Sequence, residues 1–185
     1  WGGYNYEDAI IISERLVKIS TGPVALGEAV LDHKDISTSS SPEVSVTYIE
    51  RQSGNVFSYK VGAATLTRIS NKTLPGILTA SWLPDASLAF VRYLSGTDFS
   101  TINTYALHSD GSDGLFLPQG LTDISVASSS ILTLASGVNG SVATLSRTNG
   151  TRASTVFTTP LSALRISFAG KNQYLAFTKP SMKLP

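Results

Sequence analysis

The sequence predicts an all-β fold: an incomplete β-propeller of about three four-stranded antiparallel blades, with a short N-terminal leader outside the propeller. The first observation is a strand–turn–strand pattern at residues 81–93 (SWLPDASLAFVRY). Pro and Asp favour the turn, while Phe, Val and Tyr favour the strands. The second observation is the recurrence of this layout at residues 125–134 and 167–177, at offsets of 44 and 42. A period of about 40–45 residues with several short strands is typical of propeller blades.

A second marker keeps the same spacing. Pro75, Pro118 and Pro160 are separated by 43 and 42 residues. Two independent markers with one period predict a repeated supersecondary unit, because chance spacing would not hold both in step.

The chain divides into three predicted parts. Residues 1–17 (WGGYNYEDAIIISERLV) form a leader, in which the apolar run after Asp8 predicts a buried strand or a short helix. Residues 18–43 are predicted to be a linker, because they end in a Ser/Thr cluster with a proline. Residues 44–185 are predicted to hold the partial propeller.

Strand patterns follow at short intervals from Val44. VSVTYIER, VFSYKV and TLTRIS predict the lower part of a first blade, and a second blade starts near residue 77. A third starts near Asp123, and ALRISFA with YLAFTK predicts the first two strands of a fourth. Exposed edge strands at the ends of such an array invite pairing with more chain, another subunit or an aggregate.

Composition limits the chemistry. The chain of 185 residues is 42% hydrophobic and has no cysteine, so it can bury a core but excludes disulfides, thiolate zinc sites and cysteine nucleophiles. No apolar run approaches the roughly 18 residues that a membrane-spanning helix needs. All 13 acidic residues lie at or before Asp123, and the six basic residues beyond it have no acidic neighbour in that part of the chain.

No catalytic residue, metal site or cofactor is predicted. P-loop, GxGxxG, HExxH and GxSxG motifs are absent from the sequence. Residues 110–114 (DGSDG) resemble half of a calcium loop but lack its downstream bidentate Glu, so an acidic turn is the better interpretation. The residues singled out are structural repeat markers, whose aromatic members are expected to pack between sheets rather than line a ligand cleft. They are Trp82, Pro84, Asp85, Phe90, Phe168 and Phe177.

The repeats resemble TolB-type and WD-repeat-like β-propeller proteins, whose inner hairpin reads W-S-P-D-G-x-x-[IL]-[AV]-[FY]. Residues 82–90 (WLPDASLAF) follow this motif closely, and the next copy lacks its Trp and Pro-Asp. The stretches YIERQSGNVFSY, TRISNKTLPGI and FTKPS are also similar to bacterial propeller proteins of the cell envelope, and the resemblance as a whole covers residues 44–183. The resemblance implies a binding role and an extracytoplasmic or envelope location, and it assigns no catalytic residues.

A different resemblance covers residues 3–17. GYNYEDAIIISERLV looks like a segment of the bacterial DNA-directed RNA polymerase β subunit, written approximately as GYN(F/Y)EDAI(L/I)ISERLV. It implies nucleotide-proximal roles for Glu7 and Asp8 near a Mg²⁺-dependent centre, a nucleic-acid partner and a cytoplasmic location. Without the rest of that subunit, two carboxylates cannot hold metal and triphosphate in reacting geometry, so such a fragment is not active alone.

Two functions are therefore predicted. The first is a non-enzymatic propeller scaffold that binds protein, peptide or glycan through the loops at the blade ends, with self-association through its edge strands as a further partner prediction. The alternative is a fragment of the RNA polymerase β subunit, acting in transcription.

Overall fold

The computed structural model describes residues 16–33, 43–170 and 173–178. All regular secondary structure in these three ranges is β-structure, arranged as three four-stranded sheets and one two-stranded sheet. Every strand is antiparallel to its neighbour within a sheet, and each four-stranded sheet is a meander in chain order. This confirms the predicted all-β fold class.

The first sheet, called blade 1, begins earlier than the sequence predicted. Its first strand lies inside the interval 18–43 that was predicted to be a linker, and it pairs along its whole length with the second strand. The sequence signal was weak because this strand is only five residues long and is followed by the Ser/Thr-rich stretch, most of which lies outside the described residues. The strands are β1 (Ala29–His33), β2 (Glu43–Ile49), β3 (Val56–Lys60) and β4 (Thr65–Ser70).

The remaining sheets follow the predicted period. Blade 2 starts at Ile77, blade 3 at Leu121, and the two-stranded sheet, called half-blade 4, at Leu164. Blade 2 contains β5 (Ile77–Trp82), β6 (Leu88–Ser95), β7 (Thr101–His108) and β8 (Leu115–Phe116). Blade 3 contains β9 (Leu121–Val126), β10 (Ser130–Gly137), β11 (Gly140–Arg147) and β12 (Ser154–Thr159), and half-blade 4 contains β13 (Leu164–Gly170) and β14 (Gln173–Thr178).

The sheets stack face to face in chain order, and three apolar clusters fill the spaces between them. The cluster between blades 1 and 2 includes Ile49, Ile77 and Leu107, and the cluster between blades 2 and 3 centres on Phe90 and Ile131. A third joins blade 3 to half-blade 4. Because successive strand residues point to opposite faces, each inner blade supplies apolar residues to both of its neighbours.

The first strands of successive sheets contact each other, β5 with β9 and β9 with β13. An isolated parallel bridge joins Leu26 to Thr79, and the N–H of Ala80 donates to the carbonyl of Leu26 over 2.7 Å. The indole N–H of Trp82 donates to the carbonyl of Gly27 over 3.2 Å. These bonds tie the chain just before β1 to β5, so the segment predicted as a linker is part of the contact between blades 1 and 2.

The connections define two rims. The upper rim carries the turns from first to second strand, residues 83–87 and 127–129, and those from third to fourth strand. The lower rim carries the turns from second to third strand, residues 96–100 and 138–139, and the links between blades. Side chains that the sequence separates by a whole blade therefore meet on one rim.

Candidate binding surface

A ridge on the upper rim is formed by the turn at residues 83–87, which lies in the strand–turn–strand pattern predicted from the sequence. The Leu83 N–H donates to the carbonyl of Leu88 over 2.9 Å, and the Ala86 N–H donates to the carbonyl of Leu83 over 3.0 Å. The Asp85 carboxylate accepts the Ser87 backbone N–H at 3.0 Å and the Ser87 hydroxyl at 2.7 Å. This is the local side-chain bonding for which Asp is favoured in turns.

Two buried side chains anchor the ridge on opposite sides. Leu83 packs into the apolar cluster between blades 2 and 3, and Ala86 packs into the cluster between blades 1 and 2. Ala86 has φ of 55°, in the left-handed region that favours the Gly of the related motif. Pro84, Asp85 and Ser87 remain exposed at the top. The ridge is thus a fixed, polar crest rather than a loose loop.

Electrostatics at the crest keep a negative charge there. The hydrogen bonds from the Ser87 hydroxyl and then the Ser87 N–H lower the pKa of Asp85 from its ordinary value. Asp85 is exposed, so its charge is available to a ligand at neutral pH.

An uncharged cleft lies on one side of the ridge, between blade 3 and half-blade 4, with a volume of about 630 Å³. Phe168 and Tyr174 form one wall as an edge-to-face pair with ring centroids 5.6 Å apart. Leu145 and Pro84 add apolar surface, and residues 128–130, three consecutive serines, supply hydroxyl groups. Aromatic and proline surface beside a few hydroxyls suits an apolar side chain on a ligand with hydrogen-bonding groups.

A polar groove of about 580 Å³ lies on the other side of the ridge, between blades 1 and 2. Asp85 and Ser87 line it from the ridge, and Glu43 and Lys60 line it from blade 1, where they form an ion pair of 3.4 Å. Four further hydroxyl residues and three apolar residues complete its lining: Ser45, Thr47, Ser58, Ser109, Leu31, Ile69 and Ala86. The ridge therefore separates two depressions of different chemistry.

A polar network holds blade 3 to half-blade 4 beneath this rim. The buried Asp123 carboxylate accepts the Ile166 backbone N–H at 2.9 Å and lies 3.3 Å from the Arg165 Nε. Two residues further along β9, the Ser125 hydroxyl accepts the Phe168 N–H at 3.2 Å. The two hydrogen bonds to Ile166 and Phe168 each join residues 43 apart in the chain. β9 and β13 belong to different sheets, so side chains of β9, and not its backbone, bond to the backbone of β13.

Arg92 reaches the same network from blade 2. Its guanidinium donates to the carbonyl of Leu121 over 3.1 Å. Burial lowers the pKa of Arg92, and the nearby Asp123 charge opposes that effect. The Asp123 carboxylate thus compensates a half-buried positive charge as well as binding a backbone donor.

The structure brings together some of the predicted marker residues and separates others. Pro84 and Phe168 line the same cleft, and Asp85 lines the neighbouring groove. Trp82 and Phe90 are buried between sheets. Phe177 was expected to pack in a core, but it lies on the outer face of half-blade 4 and is 51% exposed, because no further sheet covers that face in the described residues.

Sequence reasoning missed part of the surface. Tyr174 and the serine run at residues 128–130 were not singled out, although both line the cleft with Phe168. Asp123 was noted only as a position in the charge count. The spacing could have indicated these bonds, since Asp123 and Ser125 precede Ile166 and Phe168 by one period. Whether the hydrogen bonds form, however, depends on how the blades stack.

The N-terminal domain of Nup159, a β-propeller, is similar over 82% of this chain and 39% of its own, with 14% identity and a TM-score of 0.50. The fold is that of a β-propeller. TolB from Acinetobacter baumannii is similar over 82% of this chain and 37% of its own, with 12% identity and a TM-score of 0.49. The chain thus spans about two-fifths of the length of these structures.

Comparisons by sequence gave no match. No family model matches the chain, and no curated protein matches it. The resemblance of residues 3–17 to the RNA polymerase β subunit gains no support from them and stays a prediction. Glu7 and Asp8 lie outside the described residues.

Residues 16–33, 43–170 and 173–178 contain no helix with the length and apolar character to cross a membrane. In the same ranges, no three His, Asp or Glu side chains converge in a way that could hold a metal ion.

Proposed function

We propose that this chain is a non-enzymatic interaction scaffold that binds an extended peptide segment of a partner protein across the upper rim. The observation that carries the proposal is the ridge at residues 83–87, with an uncharged aromatic cleft on one side and a charged, hydroxyl-rich groove on the other. Loops held on a rigid β-scaffold are common binding surfaces in repeat folds.

The uncharged cleft would take an apolar or aromatic side chain of the peptide. Phe168 and Tyr174 offer ring faces and edges, and aromatic contacts of this kind carry much of the energy in many interfaces. The hydroxyls of residues 128–130 can bond to peptide backbone groups, which any extended segment presents.

The polar groove would take a basic side chain on the other side of the ridge. Asp85 is ionised at neutral pH, its bonds to Ser87 lower its pKa further, and it lines the groove with Glu43. Lys60 already neutralises part of the Glu43 charge. Asp85 is therefore the acidic group most open to a ligand in this groove, and it would select Lys or Arg over Asp or Glu.

The test is selection from a displayed library of random peptides on the immobilised full chain, followed by fluorescence anisotropy of the recovered peptides. We expect sequences that combine an aromatic with a basic residue. Tyr174→Ala and Asp85→Lys should each weaken their binding by about tenfold or more, the effect of losing one interface anchor. Asn139→Ala, in the turn on the lower rim, is the matched control and should leave binding unchanged.

Two results would contradict the proposal. One is recovered peptides that bind Tyr174→Ala and Asp85→Lys as tightly as the unaltered chain. The other is no selected peptide, together with Tyr174-dependent binding on an oligosaccharide array, which would assign the cleft to a glycan instead.

A further inference from the structure

Half-blade 4 ends in an apolar face that the repeat buries elsewhere in the same molecule. Phe177 holds the place on the second strand that Leu134 holds in blade 3 and Phe90 holds in blade 2, at offsets of 43 and 44. Phe90 and Leu134 are 0% exposed because the next sheet covers them, whereas Phe177 is 51% exposed. Leu175 is 54% exposed on the same face, and its counterpart Leu132 is fully buried.

Blade 1 presents the complementary half of the same contact, beside the part of its outer face that the chain itself covers, where the buried Tyr48 hydroxyl donates to the Ile19 carbonyl over 3.3 Å. One apolar residue from each strand forms a row across its outer face, by direct pairing of neighbours. In blade 2 the corresponding row is buried against blade 1. The row in blade 1 is Val30, Val46, Tyr59 and Leu66, and the row in blade 2 is Trp82, Ala89 and Leu107.

We propose that these two faces bind each other between two copies of this chain, head to tail, with β13–β14 of one copy on the outer face of blade 1 of the next. The contact would repeat the packing that joins blades 1 and 2, blades 2 and 3, and blade 3 and half-blade 4. A second copy is the occupant because each copy carries both halves of this interface.

Charge supports the same pairing. On half-blade 4, Arg165 holds the position that Asp123 holds in blade 3, where the carboxylate touches the backbone of Ile166 in the next sheet. Val30 holds the place of Ile166 in blade 1, and the exposed Asp32 follows two residues later on the same face. Arg165, which already lies 3.3 Å from Asp123 in its own chain, would therefore also lie near Asp32 of the next copy, so that a second attraction joins the two ends.

The overall charge distribution agrees with this direction. The chain up to Asp123 carries a net charge of −5, and the chain after it carries +6. Head-to-tail contact places the acidic end against the basic end, whereas contact between two like ends would place equal charges together.

Such a contact joins two different surfaces, so it closes only if the rotation between copies allows a ring. In the described ranges, two copies supply six four-stranded and two two-stranded sheets, a number of sheets within the usual range of about four to eight blades. We therefore expect a closed dimer of twice the 19.6 kDa chain mass.

The test is sedimentation velocity of the full chain across micromolar concentrations. The unaltered chain should shift from monomer to dimer. Phe177→Asp adds a negative charge opposite Asp32, and Val30→Lys adds a positive charge opposite Arg165, so each variant should dissociate at concentrations at least tenfold higher than those that dissociate the unaltered chain. Val138→Asp is the control, because Val138 is fully exposed in the lower-rim turn at residues 138–139.

Mixing the two variants gives the decisive result. The Val30→Lys copy retains an intact half-blade 4 face, and the Phe177→Asp copy retains an intact blade 1 face. A mixture of the two should therefore form dimers at concentrations at which each variant alone is monomeric. Circular dichroism of each variant verifies that it is folded, and Leu175→Asp serves as a replacement if Phe177→Asp is not.

The proposal is overturned by a chain that stays monomeric over the whole range, which would leave both faces to other occupants such as further blades of a longer chain. It is also overturned by a dimer that both variants form normally, or by a mixture that restores nothing, because a contact between like ends cannot be rescued in this way.

Discussion

Phe90 and Phe177 provide an internal comparison of the same residue type at equivalent positions, one covered by the next sheet and one not. Replacing Phe90 by Ala removes a fully buried ring from the cluster between blades 2 and 3. Large-to-small changes of this kind cost about 3–5 kcal/mol, because the transfer free energy is lost and a cavity remains. Phe177→Ala leaves no closed cavity, and only about half of the Phe177 side chain is buried. We therefore expect this substitution to lower the free energy of unfolding by about 1 kcal/mol.

Thermal unfolding followed by circular dichroism measures both variants. For a chain of this length, each kcal/mol shifts Tm by about 2–4 °C, so Phe90→Ala should lower Tm by about 6–20 °C and Phe177→Ala by about 2–4 °C. The protein must be dilute enough to be monomeric, since a second copy would bury Phe177. We reason that burial by the next sheet, and not position in the repeat, sets how much each Phe contributes to the free energy of unfolding. Equal losses of Tm for Phe90→Ala and Phe177→Ala would refute this.

Three further predictions concern the contacts between blades and the ridge. Asp123→Ala should cost about 1–3 kcal/mol in urea unfolding, because it removes the buried acceptor of the Ile166 N–H and the partner of the Arg165 guanidinium; a loss under about 1 kcal/mol would contradict this. Trp82→Phe should cost about 1–2 kcal/mol in the same assay, because the Gly27 carbonyl loses its donor; an unchanged midpoint would show that the bond contributes nothing. Asp85 has a lowered pKa in the folded chain, so its stabilising effect is present above the ordinary carboxyl pKa and lost as pH falls through the acid range. Asp85→Asn should therefore flatten the decline in stability between about pH 5 and 3, and an unaltered acid profile would count against the Ser87 bonds.

Local sequence was sufficient for much of the fold. The turn at residues 83–87 needs Pro, Asp and Ser at fixed offsets, and these bond within the turn itself. The apolar run around Phe90 predicts a strand buried on both faces, and the two-residue repeat of strand side chains assigns alternate residues of the run to the two neighbouring blades. β1 was missed because it depends on pairing with β2 across a long connection, and a five-residue stretch carries little periodic signal of its own.

The sequence by itself determined the period, the strand order within each blade after β1, and the nature of the turns, because these depend on residues close together in the chain. Only the tertiary structure decided which surfaces meet. Stacking of successive sheets places Pro84 beside Phe168 and Tyr174, bonds Asp123 to the next blade, and leaves Phe177 uncovered while Phe90 is buried. The physical reason is that each of these outcomes depends on contacts between blades about 40 residues apart, which no local propensity encodes.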